Sequence, residues 1–130
     1  MPQLLTLRPR QQVFLVEDDD AVRSALQFLL RLEGYEVAVF GTGEALLQQD
    51  LPGADACLVI DQMLPGIDGL ETIQRLHARG VNLPALIITT LPAPALRLAA
   101  QAHGVGIVEK PLIGDALTTQ IQAALAVHDL

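Results

Sequence analysis

The sequence predicts an α/β protein built as a doubly wound parallel sheet. Three observations carry that prediction. Short apolar runs alternate with longer stretches of helical periodicity, in the order β-α five times over. The runs are apolar at every position rather than every second one, which implies burial on both faces by helices. At 130 residues, about half of them hydrophobic, the chain can bury one core and has no length for a second.

The elements follow in order. Val13-Phe14-Leu15-Val16 is the first strand and stops abruptly at Glu17-Asp18-Asp19-Asp20, where acidic residues suit a helix N-terminus. Val22, Ala25, Leu26, Leu29 and Leu32 recur at helical spacing up to Gly34, a natural C-cap. Val37 to Phe40 is the second strand, followed by a short helix around Glu44 to Gln49. Cys57 to Ile60 is the third and runs into Asp61. Asp68-Gly69-Leu70-Glu71 has the spacing of a capping box and opens a helix to about Arg79. Ala85 to Ile88 is the fourth strand, ending at Thr89, and Pro94 starts the next helix. Ile107-Val108 is a short fifth strand, and the last helix covers Ala116 to Val127.

Composition narrows the function. A net charge of −7 and a pI near 4.7 argue against direct nucleic-acid binding, which calls for a basic stripe. Cys57, the one cysteine, has no internal disulfide partner and reads as a core residue in a reducing compartment. No apolar run reaches the length of a membrane span, and no signal-peptide pattern occurs, so the expected location is the cytoplasm. His77, His103 and His128 show no metal-ligand spacing and read as surface residues. Gly41-Thr42-Gly43 lacks the third glycine of a dinucleotide fingerprint.

Sites in open parallel sheets form outside the carboxyl ends of the strands. Glu17 and Asp18 follow the first strand, Asp61 the third, Thr89 the fourth and Lys110, the sole lysine, the fifth. Clustered carboxylates repel by roughly 4 kcal/mol per pair at 4 Å and an effective dielectric near 20, so the group calls for a cation. Mg²⁺ suits it, with oxygen ligands and a preference for bridging to phosphate. Asp61 is then placed to attack a phosphoryl group, with the Thr89 hydroxyl and Lys110 ammonium binding its oxygens.

The blocks VFLVEDDD, CLVIDQMLPGIDGLE, LIITT and VEKP resemble those of the receiver domains of two-component response regulators, CheY-like in superfamily and FixJ-like in type. The resemblance implies a flavodoxin-like (βα)5 fold with strand order 2-1-3-4-5. It divides the chain into an N-terminal leader (1–11), a receiver domain (12–127) and a C-terminal tail (128–130). It implies phosphorylation at Asp61 by a sensor histidine kinase or phosphotransfer protein. Mg²⁺ would be held by Asp18, Asp61, Glu17 (directly or through water) and the Met63 backbone carbonyl. Lys110 would pair with Asp61, the Lys110–Pro111 bond would be cis, and Thr89 with residue 107 would form the switch. Such a domain is a signalling module rather than a turnover enzyme, although it catalyses its own phosphotransfer.

The sequence departs from the family pattern on the output side. Ile107 stands where Tyr or Phe is usual, Thr90 where Gly or Ala is common, and Leu91-Pro92-Ala93-Pro94 replaces a flexible polar loop. The approach to the fifth strand is also one residue short. The fourth helix carries only Arg97 and Gln101 as polar residues, so it, the fifth strand and the last helix suggest an apolar dimer or partner surface rather than a salt-bridged one. The alternative function is a phosphorylation-independent interaction module. A haloacid-dehalogenase-type phosphohydrolase would need a second Asp two residues after the nucleophile, and that position is Met63.

Overall fold

The computed structural model describes residues 11–112 and 114–128. The expected leader therefore lies outside the described residues except for Gln11, as do the last two residues of the expected tail. Strands β1 (Gln12–Val16), β2 (Glu36–Phe40), β3 (Ala56–Asp61), β4 (Ala85–Thr89) and β5 (Gly106–Glu109) alternate with helices α1 (Asp20–Leu32), α2 (Gly43–Leu47), α3 (Gly69–Ala78), α4 (Pro94–Ala102) and α5 (Ala116–His128). All strand pairs are parallel, in the order β2-β1-β3-β4-β5. The order reverses between β1 and β3, so a crevice opens above their carboxyl ends.

Alternation along each strand feeds two cores. Val13, Leu15, Cys57, Val59 and Ile88 pack with α1 and α5 on one face. Phe14, Val16, Leu58, Ile60 and Ile87 pack with α2, α3 and α4 on the other. Cys57 is fully buried, and burial pushes its thiol up to about 12, as a core cysteine requires.

Caps fix the helix starts. The carboxylates of Asp19 and Asp68 accept from the backbone N–H of Val22 and Glu71 at 3.0 and 2.8 Å, and Thr42 Oγ1 accepts from Ala45 N at 3.1 Å. The capping box at Asp68 is only half made, because the Glu71 side chain turns outward to Arg75. Helix α4 has no side-chain cap; Ala93 precedes Pro94 there.

Three placements refine the expected picture. Only part of the apolar repeat in α1 is buried. Leu26 and Leu30 face the sheet, while Val22, Leu29 and Leu32 (68% exposed) stand in solvent. Phe28 is exposed as well, so α1 carries more apolar residues than one sheet face can cover. His77 and His103 are not independent surface residues, since their rings meet partly buried between α3 and α4. On the α4–β5 face, Arg97 and Glu109 form an ion pair within the chain.

Candidate functional site

Each strand that ends at the crevice delivers one or two polar side chains to it. At the end of β1, Glu17 is held by its own backbone: its N–H donates to the Phe40 carbonyl at 3.0 Å, and its carbonyl accepts from Arg23 at 2.9 Å. Its side chain is 2% exposed and accepts from Asp19 N at 3.2 Å. Asp18, beside it, is exposed. At the end of β3, Asp61 is 3% exposed, and its Oδ1 accepts from Met63 N at 3.2 Å. Lys110 follows β5, where its N–H donates to the Thr89 carbonyl at 2.8 Å and its bond to Pro111 is cis. Its ammonium donates to Asp61 Oδ2 at 2.9 Å and lies 3.6 Å from Glu17 Oε1.

One carboxylate oxygen each from Glu17, Asp18 and Asp61 lies within 4.8 Å of the others. Three carboxylates against one ammonium leave an excess of negative charge, and two of the three are buried. Burial pushes Glu17 up to about 7; its bond with Asp61 and the Asp61 charge add to this, while Asp19 N and Lys110 oppose it. Burial would lower Lys110, but the bond to Asp61 and the charges of Asp61 and Glu17 outweigh it and raise the pKa. An oxygen-only donor set with surplus negative charge suits a hard divalent cation.

The expected residues thus fall together. Glu17, Asp18, Asp61 and Lys110 share one cluster, and Thr89 is buried beside it at the end of β4, pairing with Glu109 across the ladder. The Met63 backbone adjoins Asp61, while its side chain is exposed. Ile107 lies apart from the cluster, half-buried in β5 opposite Ile87 and packed on the core beneath α3 and α4.

Gly69 and Gln62 also shape the site, and neither stood out in the sequence. A Cβ on Gly69 would sit 2.6 Å from the Asp61 carbonyl oxygen, so only glycine lets α3 approach the end of β3 this closely. Gln62 clamps the loop between them: its carbonyl accepts from Gly69 N at 3.1 Å and its side-chain oxygen from Leu70 N at 2.9 Å. A glycine directly after an N-cap aspartate looks like ordinary helix-start chemistry, and nothing local reveals the backbone across from it.

Beside Lys110 an apolar groove runs along α1, lined by Val22, Ala25, Leu29, Thr90 and Leu112. Among the described residues, no helix is long and apolar enough to cross a membrane.

Residues 13–122 match the family described as "Response regulator receiver domain". The chain is 36% identical over 119 residues to the transcriptional regulatory protein FixJ of Bradyrhizobium diazoefficiens, covering 87% of this chain and 56% of that one. Among solved structures, the response regulator StyR superposes with a TM-score of 0.85 at 31% identity, over 93% of this chain and 62% of that one. A structure of FixJ-N superposes with a TM-score of 0.80 at 26% identity, over 92% and 96% of the two chains. The chain spans about half the length of the FixJ proteins it matches, 56% and 54%.

Proposed function

Because the chain belongs to the response-regulator receiver domain family, we propose that Asp61 is its phospho-acceptor and takes the phosphoryl group from a phosphohistidine on a sensor kinase or phosphotransfer protein. One observation carries the reading: a buried carboxylate at the end of β3, held by Lys110 at 2.9 Å, with the Glu17 and Asp18 carboxylates beside it. An Asp61 oxygen attacks phosphorus in line as the phosphorus–nitrogen bond breaks. The bonding pair leaves with the donor imidazole, which takes up a proton. Lys110 releases its bond to Asp61 and turns to the incoming phosphoryl oxygens, joined by the Thr89 hydroxyl. Mg²⁺, when bound, neutralises the carboxylates and the transferred group. Asp18 and Asp61 would ligate it directly, Glu17 directly or through water, and the Met63 carbonyl would complete the protein ligands. The same groups would support autodephosphorylation when water attacks in place of a donor.

The donor must bring its phosphorus to the mouth of the crevice. The apolar groove along α1 opens beside Lys110, and the exposed Val22 and Leu29 on its wall suit an apolar helical partner. Output would run through Thr89 and Ile107 to the face of α4, β5 and α5, where Leu98 is 69% exposed. A homodimer through that face is part of the reading, as is action on effectors carried elsewhere, in the cytoplasm.

The test is phosphorylation itself. Wild type with a small phosphodonor and Mg²⁺ should gain one phosphoryl mass, and Asp61→Asn should not. An unmodified wild type would favour the second reading, a phosphorylation-independent interaction module. That reading draws on Ile107 at the relay position and on Leu91, exposed with φ of 46°.

A further inference from the structure

Helix α4 is held to the body thinly. Ala100 is its one fully buried residue, and its N-terminus has no side-chain cap. Two side-chain links tie it down. Near its start, Arg97 pairs with Glu109 on β5, but both partners are about half exposed, and such pairs contribute little. At its other end His103, the C-cap residue, meets His77 in the last turn of α3.

The geometry of that second link is specific. The two Nδ1 atoms are 3.0 Å apart and the ring centroids 5.2 Å. The difference is close to two ring radii, so the nitrogens face each other nearly head-on. A shared metal would need both lone pairs turned toward a common point about 2.0–2.1 Å from each nitrogen. The head-on arrangement suits a single proton: one ring donates Nδ1–H, and the bare Nδ1 of the other accepts. At least one ring must therefore be neutral. With both rings protonated, two donors and two positive charges confront each other.

We propose that His77 and His103 form a proton-sensitive strap between α3 and α4, closed by one shared Nδ1 proton and opened when both rings are protonated. The charged groups on the surrounding elements are engaged elsewhere. On α3, Arg75 pairs with Glu71, and Arg79 just beyond it donates to the Leu47 carbonyl at 2.6 Å. On α2, Glu44 accepts from Ile67 N at 3.4 Å; on α4, Arg97 pairs with Glu109. No carboxylate among the described residues bonds to either ring to offset a second charge. Both rings sit at helix C-termini, whose dipoles favour positive charge, but a second charge would lie 3.0 Å from the first. The first added proton is thus accommodated, and the second is opposed. Consistent with this, burial and the neighbouring His103 hold His77 below the ordinary histidine value.

Nitrogen-detected NMR of the imidazoles in the intact chain, across the mildly acidic range where histidines titrate, tests this. The two rings should titrate in two separated steps that belong to the pair. The lower step should bring a several-fold loss of exchange protection at the amides of His103, Gly104 and Val105, which close the end of α4. Amides of β3 should not follow it. In His103→Gln, His77 should titrate in one step at higher pH, and protection at the end of α4 should no longer track this titration. The double variant His77→Gln/His103→Gln keeps the titration of the acidic cluster, so subtracting its profile isolates the strap. Two rings titrating together, with His77 unmoved by His103→Gln, would overturn the proposal. So would protection of α4 that follows pH equally in wild type and variant.

Discussion

Replacing Glu17 with glutamine should remove a loss of stability with rising pH from the metal-free protein. Glu17 is 2% exposed, and its pKa rises from 4.5 to about 7 on folding, chiefly through burial. Between those values the folded state binds more protons than the unfolded one, so stability falls as pH rises. The raised pKa spans 4.5 to about 7, which at ~1.36 kcal/mol per pH unit amounts to a loss of about 3 kcal/mol by pH 8. Lys110 does not confuse this window: its pKa is raised from 10.5, so its contribution is complete below that value and is lost only in stronger alkali. Glutamine keeps a carbonyl for Asp19 N and carries no charge. Urea unfolding in chelator at several pH values between about 5 and 8 measures both slopes. Wild type should lose stability relative to Glu17→Gln across the series, and the variant, left with the opposite, rising contribution of His77 held below 6.5, should overtake it at the alkaline end. Added Mg²⁺ should restore wild type at pH 8 more than the variant, since an ionised Glu17 adds negative charge to the cluster that a glutamine amide lacks. A difference between wild type and Glu17→Gln that does not change with pH would refute the crowding of the acidic cluster.

Three other outcomes follow from the same geometry. Without metal at pH 8, where Glu17 is ionised, Asp61→Asn should be more stable than wild type by about 1 kcal/mol in urea unfolding. Relief of a repulsion of roughly 4 kcal/mol per close carboxylate pair exceeds the roughly 1.5–3 kcal/mol of the lost charged bond to Lys110. Gly69→Ala should cost about 1–3 kcal/mol, because its Cβ would meet the Asp61 carbonyl oxygen at 2.6 Å, and it should slow phosphorylation by small donors in the mass assay. Leu98→Asp, at a residue 69% exposed, should change stability by less than about 0.5 kcal/mol yet abolish any dimer seen in sedimentation of wild type with a phosphoryl mimic. Wild type and Leu98→Asp both monomeric under every condition would count against self-association through that face.

Much of this molecule was legible because parallel sheets write themselves plainly. The strand β3, apolar at each position from Cys57 to Ile60, needed two covering layers, and its abrupt end in Asp61 marked the crevice. The convergence of Glu17, Asp18, Asp61 and Lys110 followed from strand ends alone. What stayed hidden depended on contacts between distant segments. Leucines at helical spacing in α1 gave no sign that Leu30 would face the sheet and Leu32 the solvent, since an overly apolar helix has no unique inner stripe. His77 and His103 lie 26 residues apart, and no spacing rule pairs them. Gly69 was visible as a residue but not as a clearance.

The buried thiol of Cys57 gives the molecule its own strain gauge. It is the one cysteine in the chain, fully enclosed on β3 four positions before Asp61, with its strand bonded to β1 and β4 on either side. An alkylating reagent can reach it only when the centre of the sheet parts, since a thiol with a pKa of about 12 does not react in place. Its labelling rate therefore counts openings of the strand that carries Asp61, with no engineered probe. Ligand, phosphoryl mimic or acid can each be scored by how far they slow or quicken that one reaction.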